Sequence, residues 1–169
     1  MSGADRLARA AAPPLAAALV LGLVGLGGIL AGVPWLFPSL GPTVAIQAST
    51  PTQPSARPWN VCAGHLIGLA CGIAAVHLTG AAALPGVTEA HILSGPRLAA
   101  AVLAVLSSMG LQAAAKARHP PAEATTLLFA LGAMQPDLRN ALTVAAGVVL
   151  VTVLGEGCRR MFARAAQDS

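Results

Sequence analysis

The double proline at Pro120-Pro121 constrains this chain more than any other feature. Proline has no N–H donor and pushes the residue before it out of the helical region, so a helix arriving from upstream must stop there. The apolar run that follows, from Ala122 to Gly132, is too short to cross a bilayer, which needs about 20 helical residues. A basic lip of Lys116, Arg118 and His119 precedes it. Broken backbone at membrane depth is tolerated only where protein or a polar cavity covers it. The stretch therefore points to a site built on a helix start inside the lipid slab.

That reading requires the rest of the chain to be membrane, and composition supplies the requirement. Of 169 residues, 56% are hydrophobic and 9% charged, with mean hydropathy +0.73. Soluble domains carry about 25% charge. The 18 glycines and 13 prolines are embedded in Leu/Val/Ala runs, which excludes a collagen-like or disordered chain. The net charge of +4 comes from basic residues between apolar runs and at the ends, a pattern for anchoring and topology rather than nucleic acid. Cys62, Cys71 and Cys158 have neither metal-ligand nor disulfide spacing and read as packing residues. No metal site, cofactor or catalytic motif is expected, and the chain does not read as an enzyme.

Apolar runs divide the sequence. Arg6 and Arg9 lead into a run from Pro13 to Val33, longer than a signal-peptide core and without a cleavage signal before Trp35, so it is expected to remain as a membrane helix. Three prolines break Pro34 to Pro42, after which Thr43 to Ser49 is a short helix candidate. Asn60 to Leu78 forms the next span and carries Gly64, Gly68 and Gly72 at four-residue steps, a close-packing face. Leu98 to Ala115 and Asn140 to Gly157 are further spans, with the short Ala122 run between them. Glu156 with Arg159 and Arg160 has helical ion-pair spacing.

Each half then reads as long span, proline-broken approach, short helix, polar turn, long span. The fold class is an all-α polytopic membrane protein of about six segments. It forms one domain over residues 1–169, made of two inverted three-helix repeats at about 13–80 and 92–160. Six crossings place Arg6/Arg9, Arg57, Lys116/Arg118 and Arg159/Arg160/Arg164 on one side. By the positive-inside rule both termini are cytoplasmic, in an inner membrane. Four or five long helices with re-entrant short pieces are the alternative.

A helix that begins inside the membrane presents unpaired N–H groups and the positive end of its dipole, and a small anion suits both. Ser39, Gly41, Thr43, Thr125 and Thr126 flank the two short-helix starts as uncharged donors or close backbone. Asn60 and His65 stand early in the glycine-rich span, and polar groups at that depth point to function. His119 is a candidate for binding, gating or proton coupling, and Glu123 for gating or proton coupling. As an acid in the first turn, Glu123 also satisfies the dipole by itself and opposes an anion. The bland alternative is that the hydroxyls cap local backbone and the short elements fill space.

Three segments in order carry a resemblance: Phe37-Pro38-Ser39-Leu40-Gly41-Pro42-Thr43, Asn60-Val61-Cys62-Ala63-Gly64-His65-Leu66-Ile67-Gly68 and His119-Pro120-Pro121-Ala122-Glu123-Ala124-Thr125. The chain resembles the HPP family of small integral membrane proteins from about Leu15 to Gly157. Some relatives in photosynthetic organisms are regarded as nitrite transporters, so the resemblance implies small-anion transport or conduction. This chain departs from the family pattern in Pro58-Trp59-Asn60, where Pro-Arg-Asn is frequent, and in Glu123, where glycine is common. The expected partners are the lipid bilayer, a small inorganic anion and a second copy through the glycine-rich face. A non-transporting scaffold using that same face, or a proton-coupled cation or neutral-solute carrier using Glu123, are the alternatives.

Overall fold

A computed structural model describes residues 3–165, and the side chain of Arg6 lies outside what it describes. The chain is helical, in the order α1 (Gly3–Ala31), α2 (Leu40–Ser49), α3 (Pro58–Leu78), α4 (Val87–Ala90), α5 (Gly95–Ala114), α6 (Ala122–Ala130) and α7 (Leu138–Ala165). Four helices, α1, α3, α5 and α7, are long and apolar enough to cross a membrane. Helices α2 and α6, of 10 and 9 residues, rise only about 15 Å, half a hydrocarbon core.

The expected elements are all present, with shifted ends. Helix α1 begins well before Pro14 and runs through both Pro13 and Pro14. Helix α5 begins at Gly95, because the Ser94 hydroxyl caps the Arg97 N–H and Pro96 sits in the first turn, where its missing donor does no harm. Helix α7 extends past Gly157 to Ala165, with Glu156 bonded to Arg159 and Arg160 at 2.5 and 2.6 Å in the expected spacing. Helix α5 closes through the Lys116 N–H on the Ala113 carbonyl and the Ala117 N–H on the Gln112 carbonyl, with Lys116 left-handed at φ 52. That closure turns the chain toward the double proline.

The distribution of side chains is that of a membrane protein. Leu15, Leu19, Ile29 and Leu30 on α1, Leu98 and Leu106 on α5, and Leu142 and Val153 on α7 are exposed. Meanwhile Ser39, Thr43, Gln47, His65, Arg97, Ser108, Gln112, His119, Thr125 and Thr126 are buried. In water such exposure would be unfavourable, whereas lipid receives it and the protein interior pairs these polar groups, Gln47 excepted.

Helix α3 lies centrally, against α5, α6 and α7. Helix α2 packs on α1 and α7, α6 packs on α3 and α5, and α1 also meets α7. The glycine ladder of α3 makes the α6 contact possible. A Cβ on Gly68 would lie 2.6 Å from the Thr126 hydroxyl and 2.8 Å from the Ala122 carbonyl, and one on Gly72 2.6 Å from the Thr126 carbonyl. A Cβ on Gly64 would lie 2.8 Å from Cβ of His119. This corrects the expectation of a glycine face free for a second copy or a scaffold partner: α6 and its approach already fill it.

Candidate functional site

The two short helices bring their N-terminal ends together. Ser39, immediately before α2, places its hydroxyl 2.6 Å from that of Thr125 in the first turn of α6. Thr43, the fourth residue of α2, meets Nε2 of His65 at 2.9 Å and Nε2 of His119 at 3.0 Å. The other ring nitrogen of His65 lies 2.7 Å from the Thr125 hydroxyl. Nδ1 of His119 lies 2.8 Å from the Ser55 carbonyl, in the short turn before α3. All five side chains are essentially inaccessible, and the two rings stand edge to face with centroids 4.9 Å apart. Thus Ser39, Thr43, His65, His119 and Thr125, distant in sequence, form one closed polar cluster.

The remaining candidates sort differently. Glu123 and Thr126 are three apart on α6 and so share a face, while Thr125 looks the other way. On that second face, toward α5, Glu123 Oε1 accepts from Gln112 Nε2 at 2.7 Å and from Ser108 at 3.2 Å, and the Thr126 hydroxyl donates to the Ala122 carbonyl. Asn60 stands outside the cluster: its amide donates to the carbonyls of Arg118 and Lys116 at 3.0 and 3.4 Å and fastens the approach to the double proline. Gly41 is half-buried, and a Cβ there would meet nothing within 4 Å, so it faces away from the cluster.

The start of α6 also differs from expectation in its amides. The N–H groups of Ala122, Glu123 and Ala124 bond to the carbonyls of His119, Pro120 and Pro121 at 2.9 to 3.2 Å. Pro120 and Pro121 turn tightly enough to close this set, so the start of α6 contributes its dipole and hydroxyls rather than free donors.

A cleft of about 300 Å³ adjoins the cluster and is lined by Met109, Gln112, Arg118, His119, Pro120 and Glu123. Glu123 Oε2 has no hydrogen-bond partner there. Gln112 links the two polar faces, since its Oε1 accepts the His119 backbone N–H at 3.0 Å while its Nε2 reaches Glu123. Among the described residues no group of three or more His, Cys, Asp or Glu stands close enough to hold a metal ion.

Sequence reasoning missed Ser108, Gln112, Arg97 and Gln47. Arg97 is not at an interface but buried at 1% exposure, donating to the carbonyls of Leu84 at 2.6 Å, Ala130 at 3.2 Å, and Pro85 and Phe129 at 3.4 Å. It closes the C-terminal end of α6, where the dipole is negative. The signal was available: Arg97, Ala100, Ala104, Ser108 and Gln112 form a small or polar stripe at helical spacing in an otherwise bulky helix. Gln47 is fully buried in α2, and neither amide atom has a partner.

The profile of a family described as HPP, transmembrane region, matches residues 4–167. The chain therefore belongs to the HPP family and is a multi-pass membrane protein. No curated protein and no solved structure matches it.

Proposed function

We propose that this HPP-family chain carries a small monovalent anion, nitrite-like in size, across an inner membrane through the meeting point of α2 and α6. The observation that carries this reading is the Ser39–Thr125 contact at 2.6 Å, which sets two positive helix ends on one buried cluster of uncharged hydroxyls and imidazoles. Positive dipole ends favour an anion, and neutral donors bind it weakly enough to let it go. The cleft beside His119 supplies an approach. The acid of α6, Glu123, turns to the opposite face and leaves the cluster free of carboxylate.

An inverted repeat within one domain accounts for the packing. Exchanging α1, α2 and α3 for α5, α6 and α7 sends each pair of packed helices onto another packed pair. Thr43 and Thr125, each fourth in its short helix, exchange as well. Each short helix with its extended approach then makes one broken crossing, giving six, and both termini lie on the cytoplasmic side with the basic clusters.

Flux of nitrite, nitrate, formate and chloride into liposomes holding the purified protein tests the reading. Thr43→Val and Thr125→Val are each expected to slow the transported anion about tenfold, the equivalent of one hydrogen bond. No anion flux above empty vesicles would overturn it. The unpartnered Glu123 oxygen in the cleft favours a second reading, a cation or neutral-solute carrier. Glu123→Gln separates the two: an anion carrier keeps or gains flux, and a cation carrier loses it.

A further inference from the structure

The hydrogens of the buried cluster do not match its contacts. Six contacts join its atoms: Ser39 to Thr125, Thr125 to His65, His65 to Thr43, Thr43 to His119, Thr43 to the Ser39 carbonyl, and His119 to the Ser55 carbonyl. Three hydroxyls and two neutral imidazoles supply only five hydrogens. The position of the shortage follows. A carbonyl only accepts, so the His119 hydrogen must sit on Nδ1, facing Ser55 at 2.8 Å. Nε2 of neutral His119 is then an acceptor and needs the Thr43 hydrogen at 3.0 Å. The Ser39 carbonyl accepts the Thr43 backbone N–H at 3.4 Å, yet it also lies 2.9 Å from the Thr43 hydroxyl, a contact that calls on the same hydrogen.

An added proton on His65 leaves this conflict standing, because Thr43 still has one hydrogen for two acceptors. Only a proton on Nε2 of His119 resolves it. Nε2 then donates to Thr43, Thr43 donates to the Ser39 carbonyl, and the Thr43 oxygen still accepts from His65 through its second lone pair. A sixth hydrogen serves all six contacts at one position, Nε2 of His119.

Electrostatics decides when the seat fills. An imidazolium between two positive helix ends, away from water, is unfavourable by itself. An anion desolvated at the same place is unfavourable by itself as well. Together they are neutral, so each raises the affinity of the cluster for the other, reciprocally. The surroundings leave the seat to the incoming pair. Helix α2 brings no titratable group, α3 brings His65, and α5 presents neutral Gln112. Helix α6 brings Glu123, which with Arg118 lines the cleft beside His119, and Glu156 and Arg159 of α7 pair with each other.

We propose that the anion crosses with one proton seated on His119 Nε2, making the chain an electroneutral proton–anion symporter. This rests on the anion reading above and adds the co-substrate. The proton enters with the anion from one side, the Thr43 hydrogen swings to the Ser39 carbonyl, and both leave on the other side, returning that hydrogen to Nε2, with the cleft as the cytoplasmic mouth.

The test uses the full chain in liposomes, with nitrite as probe, a trapped pH dye, the voltage set by valinomycin and potassium, and empty vesicles subtracted. The expected result is one proton per nitrite, flux indifferent to voltage, and accumulation rising about tenfold per unit of pH gradient. In His119→Gln the amide N–H replaces the Nε2 donor permanently, so nitrite flux should lose its proton and respond to voltage. His65→Asn should slow flux yet keep the coupling, a split that general damage to the cluster would not produce. Nitrite flux that is voltage-driven and proton-free in the wild type would overturn the symport and leave the anion reading intact. So would His119→Gln retaining full coupling. No anion flux at all would overturn both.

Discussion

The two short helices meet at one cluster, yet they are held in different ways. Helix α6 is fastened at each end and along its side. Its first amides close on its own proline turn, Arg97 closes its last carbonyls, and the glycine ladder of α3 admits it to backbone contact. Helix α2 ends on local bonds, the Thr50 N–H and hydroxyl on the Ile46 carbonyl, with Arg159 reaching only the Pro51 carbonyl beyond its last turn. It lies between α1 and α7 in an apolar cluster that includes Val20, Val24, Val44 and Val151. At the eighth position, where α6 carries Phe129, α2 carries Gln47 with an unsatisfied amide. An orphaned buried amide costs about 1–3 kcal/mol and persists where another arrangement pairs it. Under the proposed transport reading, α6 serves as the frame and α2 as the part that moves.

Substitutions can break that contrast, and the largest effect belongs to Arg97. Arg97→Leu strands the carbonyls of Leu84 and Ala130 at once, so a loss of about 3 kcal/mol or more is expected, read as unfolding in detergent. Near-neutral behaviour would remove the clamp from the account. Next is Gly68→Val, which drives atoms into the Ala122 carbonyl and should cost about 2 kcal/mol with a matching loss of flux. Gly41→Ala on α2 meets open space and should stay within about 0.5 kcal/mol of wild type. Equal effects at the two glycines would erase the distinction between the helices.

Gln47→Leu sharpens the comparison from the other side. Removing the orphaned amide should stabilise this conformation by about 1 kcal/mol while slowing flux several-fold, since the helix would then favour one state. A variant both stabilised and fully active would show that α2 does not move. Asn60→Ala should cost about 1 kcal/mol in stability without a change in anion selectivity, because its amide holds only the loop carbonyls.

The sequence made the helices legible because proline, glycine and apolar run length act locally. Pro120-Pro121 announced the short α6, and the spacing of Gly64, Gly68 and Gly72 announced a close contact. It could not say what that contact was, since pairing with α6 rather than with a second chain is a tertiary outcome. Grouping Thr125 with Thr126 failed for a simpler reason: neighbours on a helix point about 100° apart, so one faces His65 and the other α5. Arg97 escaped because a charge near an apolar run reads as an interfacial anchor until its carbonyl partners are seen. His65 and His119 were identifiable as individuals, whereas their joint hold on Thr43 depends on three separate elements.

The most direct test is anomalous diffraction from crystals of the protein soaked in bromide, with nitrite as competitor. A bromide peak within hydrogen-bond reach of Thr43, His65 and Thr125, erased by nitrite, is the expected result. Bromide confined to the exposed Arg118 edge of the cleft, with the cluster closed and unchanged under nitrite, would contradict the account.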